Sequence, residues 1–218
     1  MTEAEWAWDN KPFLMVAHLR GAATVRKLRL YAHACVCRVM PLITDVRFRR
    51  AFAVLGRSAD GLATCEEVAV ITGETRNVVE GIGAYLASFA CWVADDAADT
   101  QYYTGGVAAC AVNDAVKGTP GRKGRIVRKV EERWQATLLR DIFGNPFRPV
   151  IFSPEWRTDT ALALARQMYE AREFSAMPIL ADALQDAGCY NPDILDHCRG
   201  AGPHVRGCWV VDLVLGKE

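Results

Sequence analysis

Five side chains near the C-terminus, Cys189, His197, Cys198, His204 and Cys208, are the part of this sequence best equipped for chemistry. Thiolate sulfur and imidazole nitrogen are donors that zinc prefers, and four of them converging on one point make a tetrahedral site. Cys198, His204 and Cys208 are the set to which a metal would be assigned. The spacing argues against a metal: no Cys-x-x-Cys occurs, and His197 and Cys198, adjacent on a helix, point about a quarter-turn apart. The plainer expectation is a protein without a cofactor. Cys198 and Cys208 are then core residues, and the histidines pair with Asp196 or with helix ends.

The same residues admit a cysteine nucleophile with histidine and aspartate partners, the basis of a cysteine-based or metal-dependent hydrolase. No nucleophile elbow and no protease-like local pattern surrounds any of these cysteines, so no catalytic residue is assigned. Asp182, Asp186, Asp193 and Asp196 offer carboxylates for acid–base work or a divalent ion, but acids in the first turns of helices more often form a solvated face. The glycines between Gly118 and Gly124 lack the Gly-Lys-Ser/Thr ending and the preceding strand of a phosphate loop. Arg199 and Arg206, at the edges of glycine-bounded turns with His204 between them, are the side chains expected to meet a partner.

The elements that must position these residues are helical. Pro178 suits the start of a helix ending at Gly188, and Asn191-Pro192 combines a capping amide with proline at the first helical position of a helix ending at Gly200. Pro203 is expected to open the last helix, with Val205, Cys208, Trp209 and Leu213 facing inward and Trp209 buried against the helix from Pro178. Upstream, Thr158 can cap a helix carrying Leu162, Ala165 and Tyr169. Val127, Val130, Trp134, Leu138 and Ile142 recur at helical intervals from Arg125 to Phe143, with Gly144 as terminator.

In the N-terminal half, Thr2 with Glu5 and Thr64 with Glu67 have capping-box spacing. Leu28, Tyr31, Cys35 and Val39 line one helix face, and Phe48, Phe52 and Leu55 line another. Between Gly73 and Gly118 small residues blur the periodicity. Helices are expected around Asn77 to Ala98 and Val107 to Val116, with Tyr102-Tyr103 able to support a short strand. Gly118-Thr119-Pro120-Gly121, with Lys123-Gly124, is the strongest linker signal. The expected organisation is therefore an N-terminal helical subdomain over 1–117, a linker over 118–124 and a C-terminal helical subdomain over 125–218. The fold class is all-α, a bundle-like helical domain or two packed helical subdomains.

Composition limits the rest. At 218 residues and 51% hydrophobic, the chain can bury a full core without an outside scaffold. Lysine plus arginine and aspartate plus glutamate both number 26, so no net attraction to nucleic acid or to anionic lipid is expected. Basic residues do cluster, in Arg20 to Arg50 and again in Lys117 to Lys129, but acidic stretches balance them. A nucleic-acid-associated role is a lesser alternative. No apolar run is long enough to cross a bilayer. The start Met1-Thr2-Glu3-Ala4-Glu5-Trp6 has no basic and apolar leader, so a cytoplasmic protein with reduced thiols is expected. Cys35 and Cys37 then read as small core residues.

Thr2-Glu3-Ala4-Glu5-Trp6, Arg26-Lys27-Leu28-Arg29-Leu30 with Ala32 and Cys35, and Ala59-Asp60-Gly61-Leu62-Ala63-Thr64 resemble the start of a family of uncharacterised helical proteins abundant in planctomycete bacteria. Leu138 to Pro149 and nearly everything from Pro178 to Glu218 resemble that family more closely, while the stretch from about Val68 to Arg133 departs from it. The resemblance implies a lineage and no reaction. Its members look like accessory segments, which implies by analogy a protein-interaction or regulatory module, with a protein as partner.

Overall fold

The protein is all-α. In the computed structural model, residues 1–37, 40, 46–76 and 122–217 are described, and among them there are ten α-helices and no strand. The helices are α1 (Glu3–Trp8), α2 (Pro12–His18), α3 (Val25–Cys37), α4 (Val46–Ser58), α5 (Cys65–Arg76), α6 (Arg122–Phe143), α7 (Asp159–Ala171), α8 (Met177–Asp186), α9 (Pro192–Arg199) and α10 (Trp209–Leu215). The helices expected around Asn77 to Ala98 and Val107 to Val116, and the alternative strand at Tyr102-Tyr103, lie outside the described residues. So does the linker from Gly118 to Gly121, whereas Arg122, Lys123 and Gly124 form the first turn of α6.

Contacts within the chain divide it into two units, Met1–Leu139 and Arg140–Glu218, and the boundary falls inside α6. No helix among the described residues is long and apolar enough to cross a membrane.

The N-terminal unit follows its capping signals closely. Thr2 and Glu5 exchange hydrogen bonds at the start of α1 (2.7 and 3.2 Å), and Thr64 and Glu67 do the same at α5 (2.9 and 3.1 Å). Each pair satisfies two backbone donors that a helix start otherwise leaves open. On α3 the expected stripe of Leu28, Tyr31 and Cys35 is buried, but Cys37 is exposed, contrary to its expected place in the core. The reason is angular. Two residues on from Cys35, Cys37 stands about 200° round the helix, on the opposite side.

The C-terminal unit is a ring of four helices. α7 packs on α8, α8 on α9, α9 on α10, and α10 back on α7. Thr158 Oγ1 accepts from the Ala161 N–H at the start of α7 (3.3 Å), and Asn191 Oδ1 accepts from the Ile194 N–H at the start of α9 (3.3 Å). Ala165, Leu180, Leu184, Ile194, Cys198, Val210 and Val214 meet in a core from which solvent is excluded.

One expectation fails here. Pro203 does not open the last helix, because residues 200–208 form an irregular segment in which Gly202 (φ 74°) and Gly207 (φ 97°) take left-handed conformations. A continuous helix cannot run through such residues. Starting α10 at Trp209 instead rotates its inward face to Val210, Val211 and Val214. Trp209 itself is left partly buried rather than enclosed.

Candidate metal centre

The irregular segment between α9 and α10 brings His204 and Cys208 to side chains of α6 and α9. Asp141, in the last turn of α6 before Gly144, points into the C-terminal unit and is 2% exposed. His197 reaches the same point from the last turn of α9, His204 from the irregular segment, and Cys208 from the residue that starts α10. One donor atom from each of the four lies within 4.8 Å of the others.

The individual contacts are close. His204 Nδ1 is 2.9 Å from Asp141 Oδ1, and His197 Nε2 is 3.2 Å from the same oxygen. His197 Nε2 is also 3.2 Å from Cys208 Sγ. The second carboxylate oxygen, Oδ2, accepts the Val205 backbone N–H at 2.9 Å, which fixes the orientation in which Oδ1 faces the histidines. Such a hydrogen bond to the outer oxygen is what holds a ligating carboxylate in place in metal proteins. Trp209 closes one side, with its ring centroid 5.2 Å from that of His197 and its ring against the Cα of Gly144. A Cβ at Gly144 would stand 3.2 Å from the indole, and a Cβ at Gly202 would stand 2.9 Å from the His204 backbone nitrogen. Gly202 is therefore demanded by the backbone packed against it as well as by its positive φ, and Gly144 by its positive φ with a tight contact to the indole.

The electrostatics follow from burial. Asp141 ought to be raised by desolvation, yet hydrogen bonds from His197 and His204, with their charge, hold its carboxyl below the usual range. Burial pushes the Cys208 thiol well up, helped by the Asp141 charge, while the Val211 and Val210 N–H groups at the start of α10 pull the other way. The thiol is protonated at neutral pH in the absence of a cation. His204 Nε2 is buried without a hydrogen-bond partner among the described residues, a desolvated polar atom of the kind that costs about 1–3 kcal/mol.

This donor set suits a transition metal. One carboxylate, two imidazoles and one thiol are borderline in softness, and typical Zn–N, Zn–O and Zn–S lengths imply tetrahedral edges of about 3.3–3.6 Å. The three closest contacts, 2.9–3.2 Å, are slightly shorter than such edges and the widest separation, up to 4.8 Å, is longer, so the four donors would shift by a few tenths of an ångström to about an ångström to enclose an ion. A nucleophile relay fits less well. In such a relay the histidine uses one ring nitrogen for the nucleophile and the other for the carboxylate. Here Nε2 of His197 faces both Cys208 and Asp141, and a thiol with a raised pKa is the opposite of an activated one.

Of the side chains assigned from sequence, His204 and Cys208 enter the cluster. Cys198 does not: it lies in the apolar core, where burial raises its pKa to about 12. Asp141 and His197 complete the set instead. Arg199 bonds Asp182 and Gln185 on α8 (2.9 and 2.7 Å) at the surface. Arg206 lays its guanidinium 4.7 Å above the Tyr169 ring on α7, which makes it a brace within the unit. The signal that could have located Asp141 is its place on the inward face of α6, three residues after Leu138, where an ionised side chain needs a partner.

No family model, no curated protein and no solved structure matches this chain.

Proposed function

We propose that the C-terminal unit binds one zinc ion through Asp141, His197, His204 and Cys208, and that the chain acts as a zinc-stapled protein-interaction module. The observation that carries this reading is the convergence of four donor atoms from α6, α9 and the 200–208 segment within 4.8 Å. Closed four-ligand zinc sites are structural, whereas catalytic ones keep a position for water. Three of the four side chains are nearly enclosed, with Asp141 at 2% and His204 at 9% side-chain exposure and Cys208 fully buried, which supports a centre of the closed kind. The unit also exposes Ile151, Ile179 and Tyr190, large apolar side chains available for contact with another protein.

The test is elemental analysis of protein purified without chelator, together with cobalt substitution. About one equivalent of zinc is expected, and the cobalt form should show the intense visible bands of a tetrahedral site with a thiolate charge-transfer band. Absence of stoichiometric metal, with no uptake on titration, would remove the reading.

A further inference from the structure

Three of the four ligands sit in the short stretch from His197 to Cys208, which continues directly into α10 and the C-terminal tail. Between His197 on α9 and Cys208 before α10 there is no regular element beyond the end of α9. The path is set by what its side chains hold. Asp141 accounts for much of that: its Oδ1 faces His204 and His197, and its Oδ2 accepts from Val205. Arg206, placed between the ligands His204 and Cys208, lies over the Tyr169 ring, and Lys217 lies over the same ring at 4.8 Å. α10 is only seven residues long, too short to hold its helical form without support. At its C-terminal end Arg157 donates to the Leu213 and Val214 carbonyls (3.0 and 3.2 Å), and at its start stands Cys208. By contrast, α7 and α9 carry their own capping side chains, and α8 packs on both.

Resting on the zinc reading above, we infer that the centre is a metal-operated latch: loading with zinc locks residues 200–217 against α7, and withdrawal of zinc frees that segment while α7, α8 and α9 keep their fold. The regulating ligand is free zinc ion. When the metal binds, Cys208 and any protonated imidazole give up their protons to solvent, and the thiolate, the carboxylate and two neutral imidazoles share the cation, so the ligands on either side of Arg206 are fixed together. Arg206 is then held on Tyr169 from both flanks. Without the cation, what remains at the centre is a set of hydrogen bonds among Asp141, two imidazoles and a neutral thiol. That set competes with water in a way that a metal–ligand cage does not. The valines of α10 continue to favour docking, so the metal-free segment opens and recloses instead of leaving permanently.

Peptide-resolved hydrogen exchange on the full chain tests this, comparing protein loaded with one equivalent of zinc with protein stripped by chelator, with zinc content measured on the same samples. At short exchange times, where amides exchange through local opening and not global unfolding, the expected result is exchange in 200–217 slowed about tenfold or more by zinc, with 159–199 changed far less. His204→Gln, which keeps a polar side chain of similar reach but removes the imidazole, should lose the zinc-dependent part of that protection. Zinc bound with no change in 200–217 overturns the latch and leaves the zinc site standing. Protection spread evenly over 140–217 also overturns it, because the metal is then a staple for the whole unit. Failure to take up zinc at all removes both the site and the latch.

Discussion

At the scale of single residues, the two C-terminal cysteines that look alike in sequence are chemically different in the structure. Both are buried in the same apolar core, but Cys208 also stands 3.2 Å from His197 Nε2 and belongs to the cluster around Asp141, whereas Cys198 does not. In the cobalt-substituted protein, Cys208→Ser should therefore abolish the thiolate charge-transfer band, while Cys198→Ser should leave it in place. An absorption spectrum of each variant decides the assignment. Cys198 makes a second prediction through its raised pKa. Its folded value, about 12, lies above the ordinary thiol value of about 8.5–9, so the folded state keeps a proton that the unfolded chain gives up. Stability from this source is complete below the unfolded value and is lost as pH rises from there toward 12, at up to about 1.4 kcal/mol per pH unit. Denaturant unfolding of wild type and Cys198→Ala at pH 8 and pH 10.5 should show a steeper loss in wild type. Equal slopes would mean that the thiol titrates as it does in water. The sequence left Cys198 and Cys208 interchangeable because residue type says nothing of which face of an undetermined segment each occupies.

At the scale of elements, the helix starts were the most legible feature. Thr2, Thr64, Thr158 and Asn191 all cap where their spacing places them, because an N-cap is a local interaction between residues two or three apart. The start of α10 was not legible for the complementary reason. Pro203 looks like a first helical residue, but Gly202 and Gly207 adopt left-handed conformations, and nothing local distinguishes such glycines from helix-flanking ones. The end of α10 was legible, since Gly216 stops it in a left-handed conformation (φ 66°), but the support from Arg157, more than fifty residues away in sequence, was not. Two charge-assisted hydrogen bonds from a partly exposed arginine to helix carbonyls are worth about 1–2 kcal/mol together. Arg157→Ala should thus lower the stability of the C-terminal unit by about that amount, and Arg157→Lys should recover only part of it, because an ammonium cannot reproduce the planar two-nitrogen contact. Thermal melts of the three proteins supply the comparison. Melting curves that coincide would show that α10 is held from its other end alone.

At the scale of the whole molecule, the all-α class was readable from periodicity and from the distribution of caps. The contact boundary after Leu139 was not. A glycine- and proline-rich stretch marks a place where the chain can turn, but α6 begins at Arg122, within that signal, and the two units meet inside α6, after Leu139. Long-range packing decides where a unit ends, and a continuous helix can belong to two of them. Asp141 illustrates the consequence for the site: it lies two residues beyond that boundary, with the three other ligands more than fifty residues further on, so no local pattern links them. The division carries a prediction of its own. All four proposed ligands belong to Arg140–Glu218, so on the zinc reading the ion binds the folded form of that unit and stabilises it by mass action, about 2.7 kcal/mol when free metal is a hundred times the dissociation constant. Calorimetric unfolding of the full chain should accordingly show two transitions, of which zinc moves one upward by several degrees and chelator moves the same one down. The transition of Met1–Leu139 should stay where it is. A single transition shifting as a whole would mean that α6 couples the units into one cooperative body, and two transitions that both ignore zinc would mean that the cluster at Asp141 holds no metal in the folded protein.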